Sequence, residues 1–515
     1  MIRSTFAGFT MAQQALSANQ RAIDVAGQNL SNINTPGYTR QRLDLASISP
    51  VGASFSSSVY DNKVGQGVMM KGISQIRDPF LDIQYRNQIA KVGTADAEDQ
   101  ILERLGEIFD ETDSAAVREA FNNVITQLKN MANPQDGGAS STDALVRSSF
   151  EVLINAIHEK ANAVDALEEE MIKKMTDSVI PNINTCLNEI KNLNEEIKNS
   201  QILGNPALEL QDERNKLLDD LATYLPIEVS YRTDTSGGEP IDLLDVTFRD
   251  SAGTKHTLIS DTKIGEFHFD GTGGIPVSLE VTDALNPGGG ASDITDLIQN
   301  GVLKGNIDML NKAEIFDGTD TKGIGYYRGM FDAFVNKLAT VMNDLNGDAL
   351  FEKSDGSGAD QPFTASNIKV SEGWMNGTVS IKKSDGAVGG TGPSTEYKNV
   401  QLMINALISD KQIFTVKRPD GADVTVFTGT IQNCYDNIQN VQAIERKASA
   451  SILKNHLTVL NQISDSRDAV SGVNMDEEVM DLMRYHQSYN AASRLMTTMD
   501  EMLDKLINDS GVVGR

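Results

Sequence analysis

Apolar residues at the two ends of the chain recur every seven positions. At the N-terminal end these are Ile2, Phe9, Leu16, Ile23 and Leu30, with Ala12, Ala26 and Ile33 at the three-residue offset. At the C-terminal end they are Met475, Leu482, Tyr489, Met496 and Leu503, with Tyr485, Ala492, Met499 and Leu506 as their offset partners. This spacing predicts two helices, over 1–33 and 475–508, each with one apolar seam. A lone helix of this length gains little from propensity, so each seam needs a cover. The two are expected to cover each other in antiparallel fashion, Ile2 meeting Leu506, Phe9 meeting Met499, Leu16 meeting Ala492 and Ile23 meeting Tyr485.

Between the ends the period changes several times. Asp78 and Pro79 open a helical stretch that runs through Ile101, Leu105 and Ile108 and then Phe121, Val124, Leu128 and Met131. After a loop at Pro134, Gly137 and Gly138 a second stretch covers about 142–200, with Pro181 expected to kink it. Leu210, Leu217, Leu221 and Tyr224 form a further helical face. From Pro226 the period becomes two, through Ile227, Val229 and Tyr231, then 243–248, 256–259, Phe267, Phe269 and 277–281. Helical spacing returns from Tyr327 to Leu345. Extended pairs follow at Ile368 and Val370, Val379 and Ile381, 413–416 and 424–427, around a helical piece at Val400, Ile404 and Leu407. The last helical stretch begins at Ile431.

The expected fold is mainly α with β insertions. A terminal antiparallel coiled-coil stem takes 1–45 and 471–515. An elongated α-helical bundle takes 46–225, 291–346 and 429–470. A small β domain occupies 226–290 and a second β-rich domain 347–428.

Charge narrows the function classes. Lys and Arg number 45 against 72 Asp and Glu, a net charge of −27 that disfavours nucleic acid and anionic membranes as partners. No run of 18 apolar residues occurs, so no membrane insertion is expected. The first 30 residues lack the basic start and continuous apolar stretch of a cleaved signal. The two cysteines, Cys186 and Cys434, sit on apolar stripes and are read as core filling. Aromatics make up 6% of the chain, which suits long aliphatic helices better than a large enzyme core.

Candidate chemistry is sparse. His158 and Glu159 begin a zinc-peptidase spacing, but Asn162 stands where the second histidine must be. Gly323 and Gly325 lack a third glycine, its place being taken by Arg328. Asp317 with Asp320, and Asp355 with Asp360, lack the alternation of a calcium loop. No catalytic, cofactor or metal site is expected, and the chain is read as not an enzyme.

The most specific stretch is AGQNLSNINTPGYTRQRLDL, residues 26–45. Pro36 presets a turn and Gly37 tolerates positive φ, so the first helix should end here. Asn29, Asn32, Thr35, Pro36, Gly37 and Tyr38, with Leu30 and Ser31, resemble the N-terminal signature of bacterial flagellar rod, hook and hook-associated proteins. Residues 471–508 resemble the C-terminal signature of the same family. Within it, GQGVMMKGISQIRDPFLDIQYR (65–86) and the SGVN that enters the last helix are similar to the first hook-associated protein type.

The resemblance implies a structural axial protein at the junction between hook and filament, needed for filament assembly. It implies that Ile2, Phe9, Leu16, Ile23, Leu30, Leu482, Tyr485, Tyr489, Met496, Met499, Leu503 and Leu506 form a subunit-assembly seam. The implied partners are further copies in a helical tube, the hook protein, a second junction protein (the third hook-associated protein) and a flagellar export chaperone. Such proteins leave through the flagellar type III system without a cleaved signal and act outside the cell. The alternatives are another axial component, a hook or rod protein, or a flagellar stem whose β insertions serve as an adhesin or binding module.

Overall fold

The computed structural model describes residues 5–48, 67–109, 117–133, 140–235, 241–286, 288–311, 322–360, 362–383, 397–417 and 423–508. Ile2, the loop at Pro134, Gly137 and Gly138, Asp317 and Asp320 lie outside them, as does the side chain of Leu506.

Helix α1 (Thr5–Ser31) leads into an antiparallel hairpin of β1 (Gln41–Ser47) and β2 (Val68–Gln75). Helix α2 (Pro79–Phe109) then starts where Asp78 Oδ1 accepts the Phe80 N–H at 2.9 Å, with proline at the first helical position. In α3 (Val117–Met131) the buried residues Val117, Phe121, Val124, Leu128 and Met131 keep steps of three and four, one apolar stripe against the core. Helices α4 (Ser140–Lys174) and α5 (Ile180–Ile202) are joined by a π-helical turn, Met175–Val179. Pro181 falls in the first turn of α5, and the wider π turn ahead of it takes up a residue with no N–H to donate. Helix α6 (Leu208–Tyr224) follows.

Strands β3 (Glu228–Asp234), β4 (Ile241–Arg249), β5 (Lys255–Ser260) and β6 (Lys263–Ile264) form an antiparallel sheet in that order. Strands β7 (Glu266–Asp270), β8 (Ser278–Thr282) and β9 (Ser292–Asp293) form a second. Leu244, Val246 and Phe248 of β4 alternate inward and meet Ile183, Leu187 and Ile190 of α5 and Leu218 and Leu221 of α6 in one apolar cluster. The sheets therefore share a core with the helices, because a sheet apolar on one face needs a second layer. Helix α7 (Val302–Asn311) adds Leu303 and Ile307 to it. This helix was not singled out in the periodicity. It is short, and Gly305 within it lets α2 approach so closely that a Cβ there would lie 2.7 Å from the Thr94 carbonyl oxygen.

Helix α8 (Ile324–Asn346) carries the aromatic centre of the other cluster, where Phe331 and Phe334 stack at 6.1 Å and Tyr435 packs against both. After it come β10 (Phe351–Lys353) paired with β11 (Ile368–Val370), α9 (Glu372–Met375), α10 (Lys398–Ile408), the hairpin β12 (Gln412–Lys417) and β13 (Asp423–Gly429), α11 (Ile431–Ser471) and α12 (Met475–Asn508). The extended pair expected at Val379 and Ile381 is irregular instead. The Val379 N–H donates to the Gly373 carbonyl and the Ile381 N–H to Asp143 Oδ1, both at 2.9 Å, so α9 and a helical side chain take the donors a ladder would need. The same Asp143 accepts Trp374 Nε1 at 3.1 Å. Cys186 and Cys434 are buried and unlinked, and burial pushes both thiols up to about 12.

Where α2, α6 and α11 meet, the interior is ionic. Asp219 accepts Arg86 Nε at 2.8 Å and Arg467 Nη1 at 2.6 Å, and Arg77 Nε donates to Asp82 at 2.7 Å. The Arg467 guanidinium also lies 4.2 Å from the centroid of the Tyr85 ring.

Candidate assembly site at the paired chain ends

Helices α1 and α12 pack on each other, and contacts near both ends of the pair set their direction. Asn29 Nδ2 donates to Glu478 Oε2 at 3.2 Å, while the methyl end of Met499 occupies the space a Cβ on Gly8 would need. From Gly8 to Asn29 is 21 residues forward, and from Met499 to Glu478 is 21 back, so the pairing is antiparallel. The layer expected at Phe9 is displaced by one residue to Gly8, which has no side chain to obstruct the thioether. A cysteine pair reports this directly. With Cys186 and Cys434 replaced by Ser, Gly8→Cys with Met499→Cys should oxidise to a disulfide and Gly8→Cys with Leu482→Cys should not, since the Cα atoms must approach within about 7 Å. Denaturing gels of the oxidised chain read the outcome, and the reverse pattern would mean a different pairing.

Small residues hold the inside of the pair. Ala12, Ala22 and Ala26 of α1 and Ala492 of α12 are buried. The larger seam residues Phe9, Leu16, Ile23, Leu30, Leu482, Tyr485, Tyr489, Met496, Met499 and Leu503 are only half-buried. Met480, Met483, Leu495 and Met502 are more than half or about half exposed beside them. Such apolar surface is uncommon on a protein that acts alone.

The signature residues build the joint beneath this pair. Helix α1 ends at Ser31, and successive turns follow, Thr35 N–H to the Asn32 carbonyl at 2.9 Å and Tyr38 N–H to the Thr35 carbonyl at 3.2 Å, with Gly37 at φ 85. Asn32 is half-buried and Thr35, Pro36 and Gly37 are exposed, so these residues shape the turn. The turn folds Tyr38 back until its hydroxyl donates to Asn29 Oδ1 at 2.8 Å. Asn29, 1% exposed, also accepts the Gln41 N–H and donates to the Gln41 carbonyl, both at 2.9 Å. With Glu478 as its fourth partner, its two donors and two acceptor positions are all used. Burial, followed by the charges of Asp212, Glu209 and Glu478, pushes the Tyr38 phenol well above its ordinary value, so it remains a donor.

Arg40 completes the joint. Its Nε donates to Glu478 at 2.6 Å and its Nη1 to Glu477 at 2.9 Å, and its own N–H bonds the Ser471 carbonyl at 2.9 Å. Burial draws its guanidinium down, and Glu478 and Glu477 more than offset this, leaving it above its usual value. Asn474, the last residue of the SGVN entry, caps α12 by accepting the Asp476 N–H at 3.0 Å. On the other side Thr39 N–H reaches Asp212 at 3.0 Å and Gln41 Nε2 reaches Glu209 at 3.1 Å, tying the joint to α6. Arg40, Glu478 and Asp212 were not singled out in the sequence. Glu478 follows Asp476 and Glu477 in a first turn where acidic residues suit the helix dipole in general, which conceals its particular partners.

Among the described residues no group of three or more His, Cys, Asp or Glu is placed to hold a metal, and no helix is long and apolar enough to cross a membrane. Of the histidines, His256 pairs with Asp250 at 3.1 Å and stacks on Phe248, a packed arrangement inside the sheet.

Residues 102–361, just over half of the chain, match the family of the flagellar hook-associated protein FlgK helical domain. The chain belongs to this family. The matched span takes in β3–β9 together with the helices that share their core. The ends match two further families, residues 9–39 the flagella basal body rod proteins and residues 468–509 the C-terminal part of the flagellar basal body rod FlgEFG proteins. The chain is similar to flagellar hook-associated protein 1 of Bacillus subtilis (strain 168), 26% identical over 534 residues covering 99% of this chain and 100% of the relative. It is also similar to flagellar hook-associated protein 1 of Escherichia coli (strain K12), 23% identical over 570 residues covering 96% and 98%. Among solved structures, the flagellar hook junction protein FlgK from Burkholderia pseudomallei superposes with a TM-score of 0.54 at 11% identity, over 76% of this chain and 100% of that one, a likeness of fold.

Proposed function

We propose that this chain is a structural axial protein of the bacterial flagellum that forms the junction between hook and filament and is needed for filament assembly. The observation that carries the reading is the antiparallel pair of α1 and α12, held by the Asn29 joint. It is matched at both ends by rod-protein families and encloses a middle matched by the FlgK family. The seam, Ile2, Phe9, Leu16, Ile23 and Leu30 with Leu482, Tyr485, Tyr489, Met496, Met499, Leu503 and Leu506, packs against further copies in a helical tube. The hook protein lies on one side and the second junction protein on the other. An export chaperone receives the chain before it leaves through the flagellar export system without a cleaved signal. It performs no catalysis. The half-buried seam and the exposed methionines of α12 support assembly, since a single chain covers only part of its apolar surface.

A deletion strain is expected to build hooks that carry no filament and to lose motility, both restored by the intact gene. Complementation with Phe9→Asp should leave secretion of the chain intact and fail to restore filaments. Filaments on the deletion strain would overturn the reading, and retained motility with lost surface attachment would favour an adhesive role.

A further inference from the structure

A cavity of about 320 Å³ lies among α2, α6, β3 and β4, and Arg77, Arg86 and Arg214 converge on its wall. Arg77 and Arg86 already hold carboxylates, Asp82 and Asp219. Arg214 does not. It is 3% exposed, donates Nη1 to Asn194 Oδ1 at 3.0 Å and lies 5.5 Å from the centroid of the Tyr231 ring, with no carboxylate at ion-pair distance among the described residues. Its Nε is buried without an acceptor, and so is Nη2 of Arg86, itself 4% exposed.

The buried carboxylates of Asp82, Asp212 and Asp219 are paired with Arg77, Arg86 and Arg467, and none of the three lies at ion-pair distance from Arg214 among the described residues. Asp242 at the cavity edge is exposed and already accepts the Thr233 hydroxyl at 3.2 Å. Burial pulls the Arg214 guanidinium below its ordinary value, with Arg86 adding to the shift and Tyr231 and Asp242 opposing it. An unpaired guanidinium in a protein interior is costly unless a counter-charge reaches it. Gln75, Arg77, Gln211 and Asp242 also line a larger groove between the β1–β2 hairpin and the start of α6, which gives an ion a way in.

We propose that this cavity binds one small oxyanion, paired with Arg214 and receiving a second hydrogen bond from Arg86. The planar donor edge of a guanidinium matches a phosphate, sulfate or carboxylate oxygen pair, and the acceptor-less nitrogens of Arg214 and Arg86 supply one hydrogen bond each. Neutral Gln211, Asn215 and Ser230 supply polar walls.

Calorimetric titration of the full chain with selenate and, separately, with acetate, at ionic strength matched with chloride, tests this. Saturable binding of one anion per chain is expected, and the two probes separate tetrahedral oxyanions from carboxylates. Arg214→Met should weaken the preferred probe at least tenfold, and Arg214→Lys should restore part of the loss. No saturable binding of either probe, or binding by Arg214→Met as tight as by the unaltered chain, overturns the proposal. Should the variants fail to fold, crystals of the unaltered chain soaked in selenate decide. Anomalous density beside Arg214 supports the site, and an empty cavity in selenate-soaked crystals overturns it.

Discussion

Replacing Asn29 by leucine is expected to cost about 3–5 kcal/mol at the joint beneath the terminal helices. The substitution keeps the size of the side chain and strips four hydrogen bonds at once. The Gln41 N–H and carbonyl and the Tyr38 hydroxyl each lose a partner, in a place where Gln41 is 6% exposed. Each orphaned buried group costs about 1–3 kcal/mol, and partial relaxation toward solvent keeps the total below the sum. Glu478 retains Arg40, so the loss should concentrate on the α1 side of the joint. Amide exchange at Gln41 and protease cutting between 32 and 40 should both rise by two orders of magnitude or more. Asn29→Asp should be nearly as damaging, since it loses both donors and sets a carboxylate against Glu478. Exchange unchanged within a few-fold in Asn29→Leu would mean that the turn is held by other contacts.

Asp219→Ala should be comparably severe for the interior where α2, α6 and α11 meet. Its carboxylate serves two guanidinium groups, Arg86 at 2.8 Å and Arg467 at 2.6 Å, and removing it leaves Arg86 without a carboxylate and Arg467 with only the longer 3.7 Å contact to Asp82. Breaking a buried pair by deleting one partner typically costs about 3–5 kcal/mol, whereas replacing the whole group by apolar residues of similar volume is often neutral. The first unfolding transition in urea should therefore move sharply to lower concentration in Asp219→Ala. It should return most of the way when Arg86→Met and Arg467→Met are added. A triple variant no better than the single one would show that Asp219 matters for shape and not for charge.

The terminal helices were legible because a seven-residue repeat leaves an apolar seam that must be covered, and the antiparallel direction followed from both ends leaving the bundle at the same place. Their register was legible only to within one residue. Heptads point to bulky residues as contact centres, while Gly8 and the alanines Ala12, Ala22 and Ala26 take the closest approach. The resemblance of residues 26–45 marked Asn29 and Tyr38 but could not supply their work, because the decisive partner Glu478 lies 449 positions away. Strand pairs were legible where side chains alternate, as in β4, and failed at Val379 and Ile381, where apolar spacing of two comes from a turn bonded to α9 and Asp143. Arg214 carries no sequence signal, since a lone arginine in an amphipathic helix reads as surface.

The Arg40 contacts also bear on torque. Arg40 and Glu478 are 438 positions apart in the chain, yet a twist applied to α12 meets Arg40, just ahead of β1, through the Glu478 and Glu477 ion pairs and meets α1 through the Asn29 amide, while the Ser471 carbonyl ties Arg40 to the end of α11. These bonds act in parallel and are loaded in shear, so each bears only a fraction of the load. A shaft element built this way turns as one rigid body at its root, and the covalent chain between its two ends need not carry the rotation.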